Sequence, residues 1–176
     1  MLEKLEIDLI EAAASGDIES FGQLCGRYYS AMVAISYSIL SDHQLAEDAA
    51  QETFARALVN FRKLKAPQKF APWLAAICRN VAKDMLSEKS IRSKNEALSQ
   101  TNQNENENSQ QINHAIERLP DKMKELVVMR YYDGLSYEQI SSVLGISKAS
   151  INGKLTRAKR KMASYLRKNS FPENRL

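Results

Sequence analysis

The sequence predicts an all-α protein: two small helical domains joined by a flexible linker, the second a four-helix domain containing a helix-turn-helix. Three observations carry this. Apolar residues recur at three- and four-residue spacing over 2–86 and again from 112 onward. Between these stretches lies SEKSIRSKNEALSQTNQNENENSQQ (87–111), nearly without apolar side chains after Leu98. Towards the end of the chain two short helical patterns meet at Gly145, and the second is heavily basic.

In chain order, Leu2 to Ala14 reads as an amphipathic helix stopped by Gly16. Asp17 is placed to cap the next helix, which carries Phe21, Leu24, Tyr28, Met32, Ile35 and Ile39. Ser41 with Gln44 has capping-box spacing and opens a helix through Leu45, Ala49, Phe54, Leu58 and Phe61. A basic loop, RKLKAPQKFA, leads to Pro72, which suits a helical first turn, and then to Trp73, Leu74, Ile77, Val81, Met85 and Leu86. Residues 1–86 form the first domain in this reading. Residues 87–111 cannot bury enough surface to offset ordering entropy and read as a linker, with a random-coil span of about 25–30 Å. The second domain, 112–168, holds a helix ending before Pro120, one through Met123, Leu126, Val127 and Met129, a turn at Tyr131-Tyr132-Asp133-Gly134, and the helix-turn-helix. Residues 169–176 are a polar tail.

The helix-turn-helix is built from recognisable parts. Ser136 and Gln139 have capping-box spacing, and Ile140, Val143 and Leu144 give an apolar face. Gly145 supplies a left-handed stop and Ser147 caps the next helix. There Ile151, Leu155, Ala158, Met162 and Tyr165 form one stripe, while Lys148, Asn152, Lys154, Arg157, Lys159, Arg160 and Lys161 occupy the other faces. Polar side chains at the start of a second, basic helix are the arrangement that reads base edges in duplex DNA.

The chain has 176 residues, 44% of them hydrophobic, so it can bury real cores. No apolar run is long enough to span a membrane, and the acidic N-terminus lacks the pattern of a signal peptide; a cytoplasmic location is expected. Cys25, Cys78, His43 and His114 share no ligand spacing, so neither a metal nor another cofactor is expected. No phosphate loop or nucleophile motif is present, and no catalytic residue is assigned. The net charge of +4 hides strong asymmetry: residues 1–60 carry −7, 61–86 carry +5, and 146–176 carry +8. Two basic blocks suit two contacts with a polyanion, and the acidic block suits a different partner.

Taken together, Gly16-Asp17…Phe21…Leu24, AEDAAQETFARAL (46–58), PWLAAICRNVAKD (72–84), LPDKMKELVVMRYYDGLSYEQISSVLGIS (119–147) and INGKLTRAKRKM (151–162) resemble the bacterial RNA polymerase sigma factors, specifically the extracytoplasmic-function (ECF) group of the sigma-70 family. The resemblance covers nearly the whole chain outside the linker. It implies a transcription initiation factor, not an enzyme, whose first domain binds the clamp of core RNA polymerase and opens the −10 promoter element. The second domain would rest on the polymerase flap and read the −35 element. It also implies an anti-sigma protein as a regulatory partner; the free chain is expected to be monomeric.

On this reading Glu47, Asp48, Gln51 and Glu52, beside Phe54 and with Arg56, bind the polymerase; the negative charge of this half argues for a basic protein partner. Arg62, Lys63, Lys65, Lys69, Arg79 and Lys83 are candidates for −10 phosphates, Asn80 for a base edge, and Phe70 for an available aromatic surface, with Trp73 assigned mainly to packing. Lys148, Ser150, Asn152 and Lys154 are placed to meet −35 bases, and Arg157, Arg160 and Lys161 to hold phosphates. Gly153 stands where the family has serine, a substitution that costs helix stability. The alternative function is an autonomous helix-turn-helix repressor or activator, which would bind duplex DNA alone and as a dimer; no heptad or dimer face supports it.

Overall fold

The computed structural model describes residues 2–64, 66–95 and 107–169. Among the described residues there are eight α-helices and no strand. They are α1 (Leu2–Ala14), α2 (Ile18–Leu40), α3 (His43–Asn60), α4 (Phe70–Asn95), α5 (Glu107–Glu117), α6 (Asp121–Val127), α7 (Tyr137–Leu144) and α8 (Lys148–Asn169). Two short 3-10 turns, Phe61–Lys63 and Pro67–Lys69, carry the chain from α3 to α4, and a π-helical turn, Val128–Tyr132, prolongs α6.

The helix ends follow side-chain chemistry. Gly16 turns at a φ of 102°, and the Asp17 carboxylate accepts from the Glu19 and Ser20 amides to start α2. The expected capping box at Ser41 and Gln44 does not form. Ser41 is itself left-handed, with φ 51°, and its amide donates to Tyr37 O at 2.9 Å to close α2. A residue in that conformation cannot also hold the extended N-cap geometry, so Asp42 takes the role and accepts from the Leu45 amide at 3.2 Å. The box at Ser136 and Gln139 is complete in both directions, and Gly145 ends α7 with φ 64°.

The boundaries expected for the linker are corrected. Helix α4 runs on to Asn95 and α5 begins at Glu107. The extension of α4 includes Glu88 and Lys89, straight-chain residues that lose little entropy in a helix, and extending a formed helix is far easier than nucleating one. Lys89 also reaches Asp42 at 3.1 Å, which ties the extension to the start of α3. The central part of the expected linker, 96–106, and the tail beyond Asn169 lie outside the described residues.

Helix α2 is the hub, packed against α1, α3 and α4 on one side and against α6 and the π-helical turn on the other. Alanines let its neighbours approach closely: Ala46, Ala49, Ala50 and Ala57 on α3 and Ala71, Ala75 and Ala82 on α4 are buried. Phe61, Phe70 and Tyr28 fill the space under the α3–α4 connection, with Phe61 and Phe70 stacked at 5.5 Å. In the second domain Ile116, Leu126, Leu135, Ile140, Val143, Ile151, Leu155 and Ala158 are buried together. The apolar stripe expected on α8 is thus buried at Ile151, Leu155 and Ala158 and half-buried at Met162 and Tyr165.

The two domains pack on each other, and one continuous core runs through both. Tyr37 on α2 meets the Tyr132 ring at 5.8 Å, Lys124 donates to Ser41 Oγ at 3.0 Å, and α7 lies against α4, where Gly145 faces Pro72.

The helix chemistry is testable at two positions. Asp42→Ala removes a cap and the tie to Lys89, and should cost about 1 kcal/mol at neutral pH. The Leu45 amide, and then Lys89, hold the Asp42 carboxyl below its ordinary value of 3.8. Its contribution is therefore complete above that value and fades as pH falls through the lowered one. Urea melts of both proteins at neutral and strongly acidic pH test this, and an equal stability gap at both would contradict it. At Gly153 an added Cβ would meet nothing within 4 Å. Gly153→Ala should therefore stabilise the chain by about 0.5–1 kcal/mol and raise the Tm by about 2 °C, read by thermal denaturation. A lower Tm would mean the glycine is needed for packing.

Candidate nucleic-acid and polymerase interfaces

The outer face of α3 is acidic because its inner face is alanine. With Ala46, Ala49, Ala50, Thr53 and Ala57 buried, the helical period turns Glu47, Asp48, Gln51 and Glu52 towards solvent. Glu47 pairs loosely with His43 at 3.7 Å. Arg56 donates to Glu52 at 2.7 Å and to Asp84 at 3.1 Å, linking α3 to α4. These two hydrogen bonds, Glu52 first, hold the Arg56 guanidinium even more firmly charged than usual. Phe54 is not part of this surface. It is 8% exposed and belongs to the core, so the expectation that it contacts a partner is corrected: it supports α3 from below. Leu58 and Val59, by contrast, are exposed beside the acidic face, and Val59 is 82% exposed, which leaves an apolar patch there.

Helix α4 divides the candidates for the −10 element between two faces. Trp73, Ile77 and Asn80 fall at i, i+4 and i+7 and line a surface cavity of about 270 Å³ with Arg56, Asn60 and Lys63. Trp73 is half-buried here and contributes to the cavity wall as well as to packing against Phe61 and Phe70. Arg62 and Lys63 are exposed on the 3-10 turn, and Lys69 is exposed on the next. Lys65 lies outside the described residues. Phe70 is 1% exposed between Phe61 and Tyr28, so it cannot offer a ring to a base. Its place in the basic loop suggested exposure; the start of α4 turns it inward.

Arg79 and Lys83 occupy the other face of α4, at i and i+4. They look into a cavity of about 690 Å³ between the domains, together with Lys122, Lys124 and Lys154 from the second domain. Arg79 donates from Nε at 3.1 Å and from Nη2 at 2.7 Å to the same oxygen of Glu125 on α6. Glu125 is buried, and burial pushes its carboxyl above the ordinary 4.5, with Arg79 pulling it back.

On α8 the burial of Ile151, Leu155 and Ala158 places the candidates for the −35 element on two flanks. Ser150, Lys154, Arg157 and Lys161 follow one another at four, three and four residues; Lys148 and Asn152 lie on the opposite flank, and Arg160 points directly away from the core. Ser147 accepts from the Ser150 amide at 3.2 Å, fixing the start of the helix. Lys148 is ion-paired with Glu138 of α7, whose carboxyl it holds below the usual range. Arg157 donates to Gly153 O at 3.2 Å and, like Arg160 and Lys161, is exposed. Lys159 sits over the Tyr131 ring at 5.1 Å.

Sequence reasoning missed Glu125, Lys122, Lys124, Asn60 and Ile77. Glu125 lies beside the apolar stripe of Met123, Leu126 and Val127 and reads as a solvated charge; only the packing of α6 on α2 buries it. Asn60 and Ile77 could have been found from the period of α3 and α4, since each is one turn from a named candidate. Among the described residues, no three His, Cys, Asp or Glu side chains are placed to hold a metal ion, and no helix is long and apolar enough to cross a membrane.

Residues 24–91 match the family model of sigma-70 region 2, and residues 109–162 that of sigma-70 region 4. The chain is 30% identical over 161 residues to a probable RNA polymerase sigma factor, RfaY, of Xanthomonas campestris pv. campestris; the match covers 84% of this chain and 40% of that protein. It is 28% identical to the ECF sigma factor SigE of Mycolicibacterium smegmatis, covering 89% and 66% of the two chains, and 27% identical to SigW of Bacillus subtilis, covering 90% and 95%. The fold is similar to that of CnrH, solved in complex with the cytosolic domain of CnrY, with a TM-score of 0.61 at 23% identity over 93% of this chain and 98% of that one. It is also similar to the sigma factor RpoE of Bartonella quintana, solved with the anti-sigma factor NepR, with a TM-score of 0.55 at 20% identity over 86% and 99%. With region 2 and region 4 matched in that order, the acidic helix in one and the basic helix-turn-helix in the other, the chain belongs to the ECF group of the sigma-70 family of RNA polymerase sigma factors.

Proposed function

We propose that the chain directs core RNA polymerase to promoters, docking through the acidic face of α3 and reading DNA with α4 and α8, without a reaction of its own. The observation that carries this is the segregation of charge. Glu47, Asp48, Gln51 and Glu52 stand on one exposed face, while the cations of α4 and α8 stand on others. An acidic face repels DNA and steers a basic protein surface, here the polymerase clamp, and the exposed Leu58 and Val59 beside it add apolar contact. The cavity walled by Trp73 and Asn80, with Lys63 at its rim, has the chemistry to take an unstacked base of the −10 element: a ring to stack on, an amide for a base edge and a cation for phosphate. Lys148, Ser150, Asn152 and Lys154 flank the start of α8 as a major-groove reader of the −35 element requires, and the second domain would rest on the polymerase flap.

An anti-sigma protein is the further partner this reading carries. A relative of the same fold was solved with one, and the acidic face with its apolar neighbours is the surface such a protein would cover to keep polymerase away. Regulation of this kind would operate in the cytoplasm on a chain that is monomeric when free.

The deciding experiment is run-off transcription of a genomic fragment library by core polymerase with and without the chain. Discrete start sites that depend on the chain support the proposal. Failure to bind core, together with tight binding of duplex DNA alone, would favour the autonomous regulator instead. Within the proposal, Asp48→Lys with Glu52→Lys should weaken core binding at least tenfold by titration, and should leave helix content unchanged. Arg157→Ala with Lys161→Ala should weaken binding of the holoenzyme to −35 DNA about equally for all sequences. It should also lower the slope of log K against log salt by about 2, one for each phosphate that is no longer neutralised. A parental slope in that variant would remove both residues from the interface.

A further inference from the structure

We infer that Glu125 is an internal competitor for Arg79: it occupies the guanidinium that the −10 element requires and so latches the two domains together until DNA takes Arg79 away. This rests on the reading of Arg79 as a DNA contact.

The geometry singles out this pair. Two donors of Arg79 converge on one oxygen of Glu125, at 3.1 and 2.7 Å, joining α4 of the first domain to α6 of the second. Most ion pairs of the described residues are exposed on both sides and contribute little. Here the Glu125 side chain is 12% exposed and the Arg79 side chain 34%, so the pair is shielded from solvent on its acidic side.

Glu125 also holds together a contact that its surroundings oppose. Across the interdomain cavity Arg79 and Lys83 face Lys122, Lys124 and Lys154, and among the described residues the only acidic groups lining it are Asp121 and Glu125. Closing the domains therefore brings cations together, and Glu125 supplies the buried counter-charge. A buried carboxylate that loses its partner is strongly destabilised where it stands. When a DNA phosphate or base edge captures Arg79, Glu125 is left in that position, and separating the domains rehydrates it. Capture and opening thus favour each other, and by linkage opening favours capture to the same degree.

Opening is needed in any case. The two promoter elements, named for positions −10 and −35, lie about 25 base pairs apart, or about 85 Å at roughly 3.4 Å per pair. A compact chain of this length has a radius of gyration of about 16 Å and is roughly 40 Å across. Arg79 and Lys83, assigned to one element, and Lys154, assigned to the other, line the same cavity, so the closed form cannot present them to both.

Small-angle X-ray scattering of the full chain tests the latch without polymerase or DNA. Glu125→Lys places a cation against Arg79 and should raise the radius of gyration from about 16 Å to about 21 Å, the value for two halves of about 12 Å each standing roughly 35 Å apart. Arg79→Glu should do the same. Combining the two exchanges restores an opposite-charge pair and should return the chain to its compact size. Circular dichroism guards against unfolding, since helix content should stay at the parental level in all three. An E125K chain as compact as the parent overturns the proposal, and so does an R79E/E125K chain that stays expanded. The competition is read separately in run-off transcription with limiting chain. There Glu125→Gln, which frees Arg79 without adding charge, should reach half-maximal output at a severalfold lower concentration; an unchanged or higher concentration overturns it. If even the parent gives no transcripts, the promoter reading fails while the scattering result still stands.

Discussion

The enclosure of α2 is the constraint on which this structure depends. A helix packed on two sides cannot present the single apolar stripe of a surface helix, and α2 does not: Leu24, Ala31, Met32, Val33, Ala34 and Ile35 are all buried. Each large side chain fully buried in this way stabilises the fold by about 1.5–3 kcal/mol relative to exposure. The polar groups drawn in with them are satisfied. Ser36 Oγ and Cys78 Sγ lie 3.1 Å apart in a hydrogen bond, Cys78 Sγ donates to Met32 O at 3.3 Å, and Ser38 Oγ donates to Ile35 O at 2.7 Å. Burial pushes the Cys78 thiol up, so it behaves as a small apolar group with a weak donor rather than as a reactive thiolate. Because one side of α2 is taken by α3 and α4, those helices are fixed in rotation. Their outer faces, acidic on α3 and mixed aromatic and basic on α4, are set by what they bury.

Charge is sorted by the same packing. Alanine on the inner face of α3 leaves its carboxylates no choice but solvent, and the apolar stripe of α8 divides its cations into two flanks. The difference between the flanks is one of surroundings. Lys148 meets Glu138 and Lys159 meets the Tyr131 ring within their own domain. Lys154 faces the first domain across the interdomain cavity. A single basic helix therefore has one flank presented to solvent and another whose first turns, at Lys154, face the other domain while Arg157 and Lys161 farther along are exposed, and only a change in domain arrangement frees Lys154.

How much of this was legible in the sequence depends on the range of the interactions involved. The helix-turn-helix was, because its signals are local: the Ser136–Gln139 box, the left-handed Gly145 and the Ile151–Leu155–Ala158 stripe each lie within two turns. The cap at Asp42 was missed because Ser41 carries the same chemistry one residue earlier; what separates them is that Ser41 is consumed in ending α2. Phe54 and Phe70 were placed beside charged or basic residues along the chain, and neighbours in sequence point to opposite sides of a helix. Compositional polarity marked 87–111 as a linker, but Lys89 finds Asp42 on another helix, and propagation from α4 needs no apolar face to continue. Glu125 was illegible in principle, since nothing local distinguishes a glutamate that will be buried by a second domain from one that will not.

On the latch proposed for Glu125, the arrangement of the domains is a balance of opposing interactions. Apolar burial between α2, α6 and the π-helical turn favours closing, and so does the Arg79–Glu125 pair. Repulsion among Arg79, Lys83, Lys122, Lys124 and Lys154 opposes it. The two kinds of interaction respond differently to ionic strength. At about 0.1 M salt the screening length is about 10 Å, so repulsion across a solvent-filled cavity is reduced while a buried pair in contact is not. Added salt therefore tightens the closed form. It also removes the counterion advantage of binding DNA. The first effect moves the free chain towards closure and the second weakens the pull of DNA on the open form, so recovery of that form then depends on a partner that engages each domain separately. On the proposed reading, a polymerase that held the first domain by the acidic face of α3 and the second by another surface would meet that requirement with no contact to the cavity, and would leave Arg79 and Lys154 available to DNA once the domains part.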